Sequence, residues 1–97
     1  MTRKRCIKIL MEAIGSSKYR QTEKAFLVCQ KIARENVPNV SNENVLIAML
    51  FKAADMADGL QDFEMKLRCM ARASHLRWRQ SVKYRRMFQG GTLYENF

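Results

Sequence analysis

The stretch SNENVLIAMLFKAADMADG, residues 41–59, decides the fold. Ser41 carries the kind of hydroxyl that caps the free N–H groups at the start of a helix. From Val45 onward, Val45, Leu46, Ile47, Ala48, Met49, Leu50, Phe51, Ala53, Ala54, Met56 and Ala57 leave almost no polar face. There is no sustained alternation of polar and apolar residues, so the strand signal is weak. A helix that is apolar all round cannot face water and must form the buried centre of a bundle. Its longest unbroken apolar run, Val45 to Phe51, is seven residues, far short of the roughly 20 that cross a bilayer. These residues predict a helix over 42–57 at the centre of an all-α fold and no membrane association.

Working outward, the punctuation on both sides is helical. Residues 3–14 place Ile7, Leu10, Met11 and Ile14 on one face, and Gly15 is a natural terminator. Residues 18–35 read as a second helix with Ala25, Cys29, Ile32 and Ala33 inward and Arg20, Lys24 and Lys31 outward; Asn36-Val37-Pro38 stops it. Beyond residue 57, Asp58 and Gln61 have the spacing of a capping box. They predict a long fourth helix over 60–88, ended by Gly90-Gly91, with a tail over 89–97. Its expected buried stripe is Leu60, Phe63, Leu67, Met70, Ala71, Ser74, Trp78 and Val82, which follow a spacing of three and four. The whole is a single helical domain over 1–97, a compact bundle of about four helices with a long basic C-terminal helix. A chain of 97 residues with 47% hydrophobic content can bury one modest core without staples.

Charge is distributed unevenly. The chain has 18 Lys+Arg against 9 Asp+Glu, a net charge of +9. Residues 1–40 carry nine bases and three acids, residues 41–64 one base and five acids, and residues 65–94 eight bases and no acid. On the fourth helix, Arg68, Arg72, Arg79, Lys83 and Arg86 fall within a sector of about 60° and span roughly 27 Å along the axis. A solvated helix face usually interleaves acids with bases for mutual support; this one does not, and it repels itself. Five cations in a row over that distance match a polyanion backbone rather than a single phosphate. Arg20, Lys24 and Lys31 would extend the surface if the second helix adjoined the fourth. Arg77 and Arg85 lie on other faces, as further parts of the patch or as covers for apolar neighbours.

The expected partner is therefore nucleic acid, read as a duplex backbone largely without regard to sequence, with double-stranded RNA ahead of duplex DNA. The only candidate recognition helix, 41–57, is too apolar to lie in a groove. The alternative is a helical adaptor or inhibitor that docks on an acidic protein surface. Leu27, Leu76 and Met87 fall on faces expected to be exposed, which raises a homodimer seam or partner site.

Other chemistry finds no support in the spacing. Cys6, Cys29, Cys69 and His75 contain no close pair and do not make a zinc site. Asp55, Asp58, Gly59 and Asp62 lack the spacing of a calcium loop. No nucleophile, base and carboxylate converge, so no enzyme activity, cofactor or small-molecule substrate is expected. The first residues are charged, and no apolar leader with a cleavage site follows. Three separated cysteines then read as reduced thiols in a cytoplasmic or nuclear compartment.

Overall fold

The computed structural model describes residues 1–89, with side chains through Arg85. Four helices follow one another: α1, Arg3–Ile14; α2, Tyr19–Asn36; α3, Asn42–Gly59; and α4, Phe63–Gln89. There is no strand among the described residues. The side chains of Arg86 and Met87 and the tail beyond residue 89 lie outside the described residues.

The boundaries follow from local chemistry. The Thr2 hydroxyl accepts from the Arg5 amide at 3.2 Å and opens α1. Gly15 takes a left-handed conformation (φ 71°) and donates its amide to the Met11 carbonyl, closing α1. Ser41 accepts from the Asn44 amide at 3.1 Å and opens α3. At the junction of α3 and α4 the structure departs from the sequence reading. Asp58 and Gly59 still belong to α3, and the break falls at Leu60, Gln61 and Asp62. The Asp62 amide returns to the Ala57 carbonyl at 2.8 Å, and the Asp62 carboxylate accepts from the Met65 amide at 3.1 Å. Asp62 therefore caps α4. Asp58 instead accepts from Lys66 Nζ at 2.8 Å.

α3 is central but not enclosed: α1, α2 and α4 all pack on it, α1 also touches α2 and α4, and α2 and α4 do not meet. Ala48, Lys52, Asp55 and Met56 therefore stay exposed along one side of α3, against the expectation of a helix buried all round. Val45, Leu46, Ile47, Leu50, Ala54 and Ala57 of α3 are buried. Around them lie Cys6, Ile7, Ile9, Leu10 and Ala13 of α1, Phe26 of α2, and Cys69, Ala73 and Leu76 of α4. α2 is held lightly. Phe26 is its one large buried side chain, beside Thr22, whose hydroxyl donates to the Lys18 carbonyl at 2.9 Å, and Gln30, whose amide donates to Asn42 Oδ1 at 2.7 Å.

Two expected faces are corrected. On α2, Ala25 and Ile32 are exposed, because Phe26 and Gln30 take the inward positions. On α4 the expected stripe points away from the bundle. Phe63, Leu67, Met70 and Trp78 are exposed, as are Leu60 before the helix and Ala71 and Ser74 within it; Val82 is half-buried. The buried seam is Cys69, Ala73 and Leu76, with half-buried Met65 beside them, close to the opposite side of the helix. Small residues at 69 and 73 share one buried cluster with Ala54 of α3, so the two axes can approach closely. The bulky stripe would hold them apart.

Two outcomes test this packing. Gln61 sits at φ 59°, a left-handed backbone that costs a non-glycine residue roughly 1–2 kcal/mol. Gln61→Gly is expected to raise the urea midpoint by the equivalent of about 0.5–1 kcal/mol, after the entropy that glycine adds to the unfolded chain. Among the thiols, burial pushes Cys6 and Cys69 above the ordinary cysteine range, while Cys29 is half-buried and lines an open groove. Iodoacetamide should label Cys29 first and the other two only on unfolding. Because the folded values exceed the unfolded ones, the stabilising contribution of Cys6 and Cys69 is complete at neutral pH. It should fade as pH rises past the ordinary thiol range.

Candidate nucleic-acid interface

Chain direction decides which charges meet. The Met1 carbonyl accepts from Asn42 Nδ2 at 3.3 Å, Gln30 bonds Asn42, and Gln80 Nε2 donates to Asn44 Oδ1 at 2.7 Å. The start of α1, the C-terminal part of α2 and the C-terminal half of α4 therefore gather at the start of α3. The short α1–α2 and α3–α4 connections lie at the opposite end.

The opposite end is balanced. There Lys18, Arg20, Lys24, Lys52, Lys66 and Arg68 are accompanied by Glu12, Glu23, Asp55, Asp58, Asp62 and Glu64. The end at the start of α3 is not. Arg3, Lys4, Arg5 and Lys8 of α1, Lys31 and Arg34 of α2, and Arg77, Arg79, Lys83 and Arg85 of α4 face only Glu35 and Glu43. Arg79 and Lys83, with Glu43, Trp78, Gln80 and Val82, line an open depression of about 460 Å³. Among the described residues the ion pairs are Lys66–Asp58 (2.8 Å) and Arg68–Glu64 (3.3 Å), both at the balanced end.

The sequence-predicted row is therefore divided. Arg79 and Lys83 are exposed and stand at the basic end. Lys31 joins them there from α2, exposed one residue beyond the Gln30–Asn42 bond. Arg72 is half-buried near the middle of α4. Arg68 is engaged within the bundle. Its Nε donates to the Ala13 carbonyl at 3.1 Å, where α1 ends, and its guanidinium pairs with Glu64. A cation there satisfies a free carbonyl and complements the negative end of α1. Arg20 and Lys24 are exposed, but they lie on a helix that does not touch α4 and near its start, so they do not continue the row. Arg86 lies outside the described side chains.

Of the residues expected as partner contacts, Leu27 is exposed and Leu76 is buried in the core at 1% exposure. Leu76 therefore cannot be a contact; it shares the inward seam with Cys69 and Ala73, about 160° round the helix from where the expected stripe would put the core. Met87 lies outside the described side chains. Arg77 covers an apolar neighbour, its guanidinium 5.6 Å from the centre of the Phe51 ring.

The basic row read from the sequence did not include Arg3, Lys4, Arg5, Lys8 and Arg34. Arg3, Lys4 and Arg5 nevertheless crowd a first turn that holds no acid, where the helix dipole disfavours cations. That conflict in the sequence already pointed to either a frayed end or an external anion. Only the antiparallel course of α1 and α4 brings that turn to the end of the molecule where Arg79 lies. Among the described residues no group of His, Cys, Asp and Glu is placed to hold a metal ion, and no helix is long and apolar enough to cross a membrane. No family model, curated protein or solved structure matches the chain.

The structural and the solvent-facing members of the row separate experimentally. Arg68→Ala should lower stability by about 1 kcal/mol, discounted for the partial exposure of the guanidinium. That corresponds to roughly 4–8 °C in Tm by calorimetry for a domain of this size, and Arg79→Ala should shift Tm far less.

Proposed function

We propose that the protein is a non-enzymatic binder of duplex nucleic acid, gripping the phosphate backbone with the basic end formed by α1, α2 and α4. The observation that carries this reading is the concentration of bases at one end against two acids, with no ion pair among the described residues at Arg79 or Lys83. Self-repulsion of this kind costs stability in the free protein and is relieved when phosphates replace the missing acids. Arginine dominates the α4 contribution, and its planar fork suits forked hydrogen bonds to phosphate oxygens. α3, which follows a tight turn as a recognition helix would, packs against all three other helices and is not free to enter a DNA major groove. Double-stranded RNA, whose major groove is closed to side chains and which is recognised by shape and backbone, ranks ahead of duplex DNA. A cytoplasmic or nuclear location accords with this partner and with free thiols.

A second observation favours a protein partner instead. The outer face of α2 exposes Leu27, Val28 and Ile32 among Lys24 and Lys31, a composition suited to docking on an acidic protein surface.

A gel-shift series over salt, with single- and double-stranded RNA and DNA, tests the proposal. Wild-type protein should bind duplex at low salt and weaken steeply as salt rises. Arg79→Glu with Lys83→Glu should cost more than about tenfold in affinity and flatten the salt slope by roughly 2. Arg20→Glu with Lys24→Glu, at the balanced end, should cost less than about threefold. Equal losses from the two pairs, binding indifferent to salt, or no duplex binding at all would refute the nucleic-acid reading. In the last case the outer face of α2 becomes the surface to pursue.

A further inference from the structure

α4 carries a ridge that the bundle does not use. Phe63, Leu67, Met70 and Trp78 lie on one side at helical spacing, with Ala71 and Ser74 between them and Leu60 in the turn just before. They are exposed at 58%, 66%, 40% and 62%, and Leu60 at 77%. With full exposure of roughly 200 Å² for side chains of this size, the ridge leaves on the order of 600 Å² open per molecule. A monomer rarely shows a larger apolar patch. Trp78 stacks on His75, ring centres 6.1 Å apart, and is still mostly open.

We infer that this ridge is a homodimer seam in which α4 packs antiparallel against α4 of a second copy. Three features select that occupant. The first is area: two such ridges facing each other remove roughly 1,200 Å² from water, the lower bound of a stable interface. The second is self-complementarity. When residues whose numbers sum to about 141 are set opposite one another, Phe63 meets Trp78, Leu67 meets Ser74, and Met70 lies beside the twofold axis. Each bulky ring or branched chain then faces an aromatic or a small residue. The third is charge. The start of α4 is balanced, Asp62 and Glu64 standing beside Lys66 and Arg68, whereas Arg77, Arg79, Lys83 and Arg85 make the other end basic. Antiparallel pairing sets each basic end against a balanced one, whereas parallel pairing would set Arg77 and Arg79 against their own copies.

The geometry has a consequence for the basic end, which rests on the nucleic-acid reading whereas the dimer itself does not. The twofold axis is perpendicular to the paired helices, so features on one flank of α4 appear on the same flank of its partner. Arg79 of the two copies would then lie on one side of the dimer, about 17 residues or roughly 26 Å apart along the seam. One dimer would present two basic points to the same side of a duplex.

Sedimentation equilibrium over a concentration series reads the dimer directly. Leu67→Glu should weaken association at least about tenfold, with helix content unchanged because the side chain is exposed in the bundle. Trp78→Ala, from the same ridge, serves if Leu67→Glu does not fold. Orientation is read in a Cys29→Ser background: Met70→Cys should oxidise to a linked dimer with itself. Phe63→Cys should link to Trp78→Cys in a mixture but not to its own copy. A monomer at every concentration, undiminished association of both ridge variants, or self-linking of Phe63→Cys would each overturn the inference. If the dimer forms but duplex binding is absent, the seam stands and only the proposed use of the basic ends fails.

Discussion

Everything in the fold depends on the burial of α3. Val45, Leu46, Ile47, Leu50, Ala54 and Ala57 point to different sides of one helix and are all sequestered, so no single partner could cover them. Each buried aliphatic chain contributes roughly 1.5–3 kcal/mol relative to leaving it exposed, and that contribution exists only if α1, α2 and α4 all close around the same axis. The other helices are thereby fixed as wall elements, each amphipathic and each contributing a few side chains. The directions of α1, α2 and α4 follow from the short turns that join neighbours end to end. The charge pattern is a by-product of those directions: bases from distant parts of the chain meet at the start of α3 because three chain segments happen to reach that end.

Much of this was legible in the sequence, and the limits are physical. α1 falls on residues 3–14 as expected, because Thr2 and Gly15 act through backbone groups only a few residues away. The central place of α3 was legible in its apolar run, but its exposed side with Ala48, Lys52, Asp55 and Met56 was not, because the gap there is left by α2 and α4, which do not meet. The start of α4 was not, because Asp58 and Asp62 are equally good caps and the choice rests on how many turns α3 can bury before its path ends. Ala57, the last buried residue of α3, keeps the helix running through Gly59, and only then does Asp62 become the cap.

The orientation of α4 was the larger misreading, and it has a physical cause. The helix has two apolar stripes. Counting hydrophobicity alone favours the one with Phe63, Leu67 and Trp78. Packing favours the one with Cys69, Ala73 and Leu76, because a core is filled at near-crystalline density and must match the shape of the surface opposite. α3 brings Ala54 into the same cluster, and a close approach against an alanine calls for small residues in return. No pattern within α4 contains that information, since it belongs to the facing helix. The same rotation withdrew Leu76 from the surface and brought Arg68 against the end of α1. The candidate site could therefore be only half read: the bases were visible, but their assignment to structure or to solvent was not.

The observed rotation gives α4 three distinct faces, and their compositions differ as their environments do. The inward seam is small and apolar and holds the bundle together. The flank bearing Arg79 and Lys83 is charged and lacks ion pairs among the described residues. The outward ridge holds the bulkiest apolar side chains on the helix. A surface ridge of this size raises the free energy of an isolated molecule in water and draws molecules together, while a net charge of +9 keeps them apart. These opposing forces need not cancel everywhere. Along an antiparallel pair of α4 helices each basic end meets a balanced one and the apolar contact in the middle is unopposed, whereas any contact between two basic ends is repelled. The charge asymmetry that makes the basic end attractive to phosphate is thus the same asymmetry that would give the apolar ridge a direction.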